Sequence, residues 1–290
     1  MYESLETICI TEKKEAKPFW KIVQEDDCRE QGISQKESFE QMRQMYQAMK
    51  EADRHYDGSL RSHSGLVGTD GEKMHAAVAS GTAVCGRFIG KVMEKALKTA
   101  ESNACMKRIV AAPTAGSCGV VPAVFLTLQE EKHFPEDKMV EALFVAAGIG
   151  GVIASRAFLA GAAGGCQAEI GSASAMAAGG VAFLMGGDGE QISHAAALAL
   201  KNLLGLACDP VAGLVEVPCV KRNVMGAVNA LTSADMVMAG IRSKIPPDEV
   251  IDAMRAIGKS MSEDIRETGK GGLAGTPTGV AIRERISGIS

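Results

Sequence analysis

No stretch of this 290-residue chain alternates apolar with polar residues between hairpin turns, and nothing in it has a strand–helix–strand rhythm. Apolar residues recur instead at spacings of three and four. From Lys36 to Tyr56, Phe39, Met42, Met45, Tyr46 and Met49 share one helical face, with Glu and Gln between them. The same reading predicts helices over Glu72–Ala100, from near Val120, over Pro135 to about Ala163, over Gln191–Leu206, and from Pro247 through Val250, Met254, Ile257 and Met261. The fold class that follows is all-α: one helical domain over residues 1–290 with glycine-rich loops. Only 4% of residues are aromatic against 33 glycines, so these helices must pack through small side chains and close backbones.

A net charge of -4 without clustered basic residues gives no reason to expect nucleic acid or an anionic membrane as partner. The longest uncharged stretch, Ile170 to Gly187, is rich in Ala, Gly and Ser and reads as a buried helix rather than a membrane span. The N-terminus lacks the basic and apolar regions of a secretory signal, which predicts a cytoplasmic chain. In that reducing compartment the eight cysteines are expected as thiols.

Four segments are too rich in Gly, Pro and hydroxyl residues for regular structure: Asp57–Gly71, Pro113–Gly119, the turn Gly164-Gly165-Cys166, and Cys208–Cys219. In the last, two prolines and a glycine stop any helix from carrying both thiols. Cys166, Cys208 and Cys219 are the cysteines set in such surroundings. Three thiolates can hold an iron–sulfur cluster and leave one iron without a protein ligand. Spacing alone leaves buried, inert cysteines as an equal alternative, and Cys118 could supply a fourth thiolate. Cys9, Cys28, Cys85 and Cys105 read as small buried hydrophobes, and His194 as a satisfied helical histidine rather than a zinc ligand. Ser64, Thr69, Thr114 and Ser117 are placed to donate to a small carboxylate, or equally to cap helices. No phosphate-binding loop occurs, and the setting for pyridoxal phosphate is missing.

The runs Pro113-Thr114-Ala115-Gly116-Ser117-Cys118-Gly119, Cys166-Gln167-Ala168-Glu169-Ile170-Gly171-Ser172-Ala173-Ser174-Ala175-Met176, Cys208-Asp209-Pro210 and Cys219-Val220-Lys221-Arg222-Asn223 resemble the α chain of the bacterial iron–sulfur L-serine dehydratases. The resemblance spans about Ser62 to Gly279. It implies that Cys166, Cys208 and Cys219 ligate a [4Fe-4S] cluster, that Cys118 does not, and that Ser62, Ser64, Thr114 and Ser117 contact the substrate. The implied activity is that of an L-serine ammonia-lyase, in which the open iron acts as a Lewis acid and serine yields pyruvate and ammonia, within amino-acid degradation and gluconeogenesis. L-cysteine desulfidase, whose cluster domain is similar, and a non-catalytic iron–sulfur redox or sensor subunit are the alternatives. The family's Ser-Ser-His-Thr segment, which carries an active-site histidine on the β part, has no match here. The expected partner is therefore a separate β chain in a hetero-oligomer, and the base that removes the α-proton stays unassigned. The C-terminal sequence Ser287-Gly288-Ile289-Ser290 offers no cysteine to reach a cluster.

Overall fold

The small-residue composition finds its explanation in one helix at the centre of the molecule. In the computed structural model, which describes residues 2–288, every residue of Ser172–Leu184 is buried. Around it pack Val120–Lys132, Glu136–Arg156, Gly189–Lys201 and Cys219–Met238. A Cβ on Gly179 would lie 2.1 Å from Ile149 Cδ1, and one on Gly180 would lie 2.3 Å from Phe125 Cζ. Glycine at these two positions lets neighbouring helices approach closer than any side chain permits.

The helices in chain order are α1 (Leu5–Glu15), α2 (Phe19–Gln31), α3 (Gln35–Arg54), α4 (Asp70–Ala79), α5 (Gly86–Ala104), α6 (Val120–Lys132), α7 (Glu136–Arg156), α8 (Gly161–Gly164), α9 (Ser172–Leu184), α10 (Gly189–Lys201), α11 (Cys219–Met238), α12 (Pro247–Ser260) and α13 (Pro277–Ser287). Among the described residues there is no strand, and the fold is all-α as expected; an isolated bridge joins Cys208 to Arg266. Local chemistry sets many helix ends. Ser4 and Ser34 accept the backbone N–H groups of Thr7 and Glu37, Asp188 and Gln191 cap each other's backbone, and Gly32 closes α2 in the left-handed region.

Several predicted boundaries need correction. The helix expected over Glu72–Ala100 is two, because Gly81 and Gly86 turn left-handed (φ +72° and +73°) and fold α4 back on α5, leaving Val84 fully exposed. The helix expected to reach Ala163 ends at Arg156, where Ala157 leaves helical geometry. The Gln191–Leu206 helix starts at Gly189 and stops at Lys201. The Asp57–Gly71 loop gives way to α4 already at Asp70. Helices α1, α2, α11 and α13 carry no prior expectation. The stretch Ile170–Gly187 forms a buried helix, α9, as expected. Helix α7 is the one described helix long and apolar enough to cross a membrane, and 67% of its most apolar window is buried inside the protein. Ile289 and Ser290, at the C-terminus where no cluster-reaching cysteine was expected, lie outside the described residues, as does Met1.

Candidate functional site

The three loop cysteines converge on one buried place from three different parts of the chain. Cys166 follows α8 and leads into a single π turn, Gln167–Gly171, of the kind that often marks functional positions. Gln167 fixes it: the side-chain amide donates to the carbonyls of Gly164 (2.8 Å) and Met254 (3.2 Å), and its oxygen accepts Gly205 N–H at 2.9 Å. Cys208 is gripped on both sides by the segment before α13, donating its N–H to Ile265 (2.8 Å) and accepting that of Glu267 (2.7 Å). Cys219 is the first residue of α11. All three are buried, at 2%, 2% and 6% exposure, and none is in a disulfide. The Cys208 thiol donates to Cys166, Cys208 feels the charge of Cys219, and Cys219 feels that of Cys166.

Arg222, one turn into α11, spans the group. Its guanidinium donates to the carbonyl of Ala207 (2.7 Å), to Asp209 Oδ1 (2.9 Å) and to Cys166. Asp209 in turn accepts the Leu273 N–H at 2.8 Å, an approach possible because Gly272, at φ +60°, puts no Cβ against that carboxylate. Asn223 ties the Pro113–Gly119 loop to the same helix, donating to the carbonyls of Gly116 (2.9 Å) and Cys219 (3.0 Å) and accepting Gly119 N–H (2.8 Å).

Ser62, Ser64, Thr114 and Ser117 fall into two pairs, each beside a carboxylate, whereas Thr69 stands at the start of α4 without a side-chain capping bond. Thr114 donates to Glu169 Oε1 at 2.7 Å and lies 3.1 Å from the Ser117 hydroxyl, with which it forms a capping box. Ser62 donates to Glu216 Oε2 at 2.8 Å, and Ser64 donates to the same oxygen. These two hydroxyls also accept the N–H groups of Val67 and Leu66, which folds the loop tightly. Cys118 is fully buried with its thiol directed 3.9 Å toward the Thr99 carbonyl.

A model of the serine dehydratase alpha chain family matches residues 14–274. The chain is 48% identical over 267 residues to the probable L-serine dehydratase, alpha chain, of Bacillus subtilis (strain 168), covering 92% of this chain and 88% of that one. It is 50% identical over 204 residues to the L-serine dehydratase, alpha chain, of Peptoniphilus asaccharolyticus, covering 70% of each. The chain belongs to the serine dehydratase alpha chain family. To the L-serine dehydratase TdcG of Escherichia coli (strain K12) it is 42% identical over 181 residues, 62% of this chain and 40% of that longer protein.

In this serine dehydratase alpha chain the electrostatics single out residues that the motifs contained but sequence reasoning passed over. Of the hydrogen-bonded thiol pair, Cys166 ionises first, because Cys208 donates to it and Arg222 attracts its charge. Burial drives Cys219 up to about 12. Glu169 is held above the usual carboxylate range chiefly by burial, with Thr114 opposing and the Glu267 carboxylate adding to the shift. Glu169 and Glu216 could have been found as isolated charges inside otherwise uncharged runs, since a charge there is rarely idle.

Other expectations are corrected. His194 is not satisfied: its Nδ1 is buried without a hydrogen-bond partner, and burial lowers the ring's pKa. Cys85 is exposed, and Cys9, Cys28 and Cys105 are only half-buried, so none is the small core residue predicted. Among the described residues no three His, Cys, Asp or Glu side chains form the donor set of a single metal ion.

Proposed function

We propose that this chain is the cluster-bearing subunit of an L-serine ammonia-lyase that converts L-serine to pyruvate and ammonia in the cytosol, together with a separate β chain. The observation that carries the reading is the convergence of Cys166, Cys208 and Cys219, buried and unpaired by disulfides, beside Arg222. Sulfur donors of this kind suit a [4Fe-4S] cluster, and three of them leave one iron for substrate. The names of the relatives support L-serine as the substrate.

Bound there, the cluster would supply a Lewis acid to a hydroxyl that leaves poorly unaided. The chain's own residues do the positioning. Arg222 offsets thiolate charge and fastens the Cys208 loop through Asp209. Asn223 aligns the Thr114–Ser117 turn with Cys219. Burial of the thiols keeps water from them and strengthens every charge interaction in the site.

The test is a serine dehydratase assay on anaerobically reconstituted protein, with and without the β chain. Pyruvate should form only with both present. A reconstituted pair that retains iron yet makes no pyruvate from serine overturns the reading, and full activity from this chain alone overturns the division of labour.

A further inference from the structure

A line of contacts reaches Cys166 from a turn far along the chain. The Leu273 N–H donates to Asp209 Oδ2 at 2.8 Å, and Asp209 Oδ1 accepts Arg222 Nη2 at 2.9 Å. Arg222 Nη1 donates to the Ala207 carbonyl at 2.7 Å, and the guanidinium donates to Cys166 as well. A guanidinium is planar, so anchoring two of its nitrogens fixes where its other N–H groups point. The ion pair is sheltered from water, its side chains being 15% (Arg222) and 7% (Asp209) exposed.

Stability alone does not account for this arrangement. A buried ion pair seldom stabilises a fold more than apolar residues of the same volume would, because removing both charges from water costs about as much as their attraction gains. This pair also touches all three cysteine segments: Ala207 precedes Cys208, Arg222 stands one turn after Cys219 on α11, and the guanidinium donates to Cys166. Gly272 completes the grip on Asp209. At φ +60°, a Cβ there would fall 2.4 Å from Asp209 Oδ2, so glycine is what lets the turn Gly272–Gly275 approach the carboxylate. The direction of the Arg222 fork therefore depends on a carboxylate that is itself fixed from the other side.

We propose that Asp209 is a positioning residue for the cluster: it holds the Arg222 guanidinium so that an N–H donates to the sulfur of Cys166 when that sulfur ligates iron. Hydrogen bonds to the sulfurs are among the features that set the potential of an iron–sulfur cluster. A cation that donates to a ligand sulfur favours the more negative, reduced state, so the contact raises the reduction potential and makes removal of an electron harder. The three cysteines are then unequal, and Cys166 is the ligand whose charge is offset most. The inference rests on the cluster reading above.

The experiment is a redox titration followed by electron paramagnetic resonance on anaerobically reconstituted protein, comparing wild type with Arg222→Gln, Asp209→Ala and Gly272→Ala at matched iron content. Arg222→Gln should shift the cluster potential to a more negative value. Asp209→Ala separates positioning from charge by the sign of its effect. Loss of a nearby negative charge alone shifts the potential up, whereas release of Arg222 from Cys166 shifts it down, and the downward shift is expected. Gly272→Ala keeps every charge and pushes the carboxylate aside, so it should shift the potential in the same direction by a smaller amount. An upward shift in Asp209→Ala, or an unchanged potential in Arg222→Gln or Gly272→Ala, overturns the assignment. Should Arg222→Gln or Asp209→Ala take up no iron, Gly272→Ala and Arg222→Lys, which keeps the charge without the planar fork, decide in their place; wild-type potentials in both overturn it. A wild-type chain that binds no cluster overturns the cluster reading instead.

Discussion

Glu216 accepts the hydroxyl of Ser62 at 2.8 Å across 154 positions of sequence, with both residues buried, at 6% and 4% exposure. This contact, doubled by Ser64, bolts the Asp57–Thr69 loop to the turn that precedes Cys219. Glu216→Ala leaves the buried Ser62 hydroxyl and the half-buried Ser64 hydroxyl without their acceptor and should lower stability by about 2 kcal/mol in urea denaturation. The double variant with Ser62→Ala should be less destabilised than the sum of the single changes; strict additivity would mean the contact does not hold the loop.

Iron content should sort the cysteines. Cys166→Ser, Cys208→Ser and Cys219→Ser are each expected to lose most iron after anaerobic reconstitution, whereas Cys85→Ser and Cys118→Ser keep it. Cys118 faces the Thr99 carbonyl and Cys85 stands in solvent. Equal iron in all five variants would remove the ligand assignment.

Adding a methyl group at the centre should cost more than its size implies. Gly180→Ala would put a Cβ 2.3 Å from Phe125 Cζ, a contact that backbone or ring must relieve, for a loss of about 1–3 kcal/mol. Calorimetry should show a lower Tm, and Phe125→Leu should recover part of it. An unchanged Tm would mean that α6 and α9 are not tightly apposed.

Thiol chemistry gives a pH test. Burial pushes Cys9 up to about 11 and Cys118 up to about 12, while Cys85 is exposed. Iodoacetamide at pH 8 should therefore label Cys85 first and Cys118 last, as read by mass spectrometry. For stability, the folded-state pKa of Cys9 lies above its ordinary value of 9.0, so its contribution is complete below pH 9 and fades as pH rises through about 11. Cys9→Ala should flatten the loss of stability in that window. A slope identical to wild type would count against the burial of this thiol.

Helix periodicity and small-residue composition were enough to determine an all-α fold, because apolar spacing of three and four and close packing through glycine are properties of the chain itself. The starts of α6 and α12 were legible for the same reason, as was the burial of Ile170–Gly187. The cysteines set among Pro and Gly could be picked out, since those residues exclude a helix wherever they fall. Which groups face one another was not legible. The chain does not announce that Ser62 and Ser64 turn to Glu216 while Thr114 turns to Glu169, that Asp209 reaches Leu273, or that Gly161 lies tightly against Cys208 and two carboxylates. The sequence left Glu169 and Glu216 as two charges among alanines and glycines. Only the tertiary structure gives each its partner, because burial and pairing depend on distances between segments far apart in the chain, and no local pattern encodes those distances.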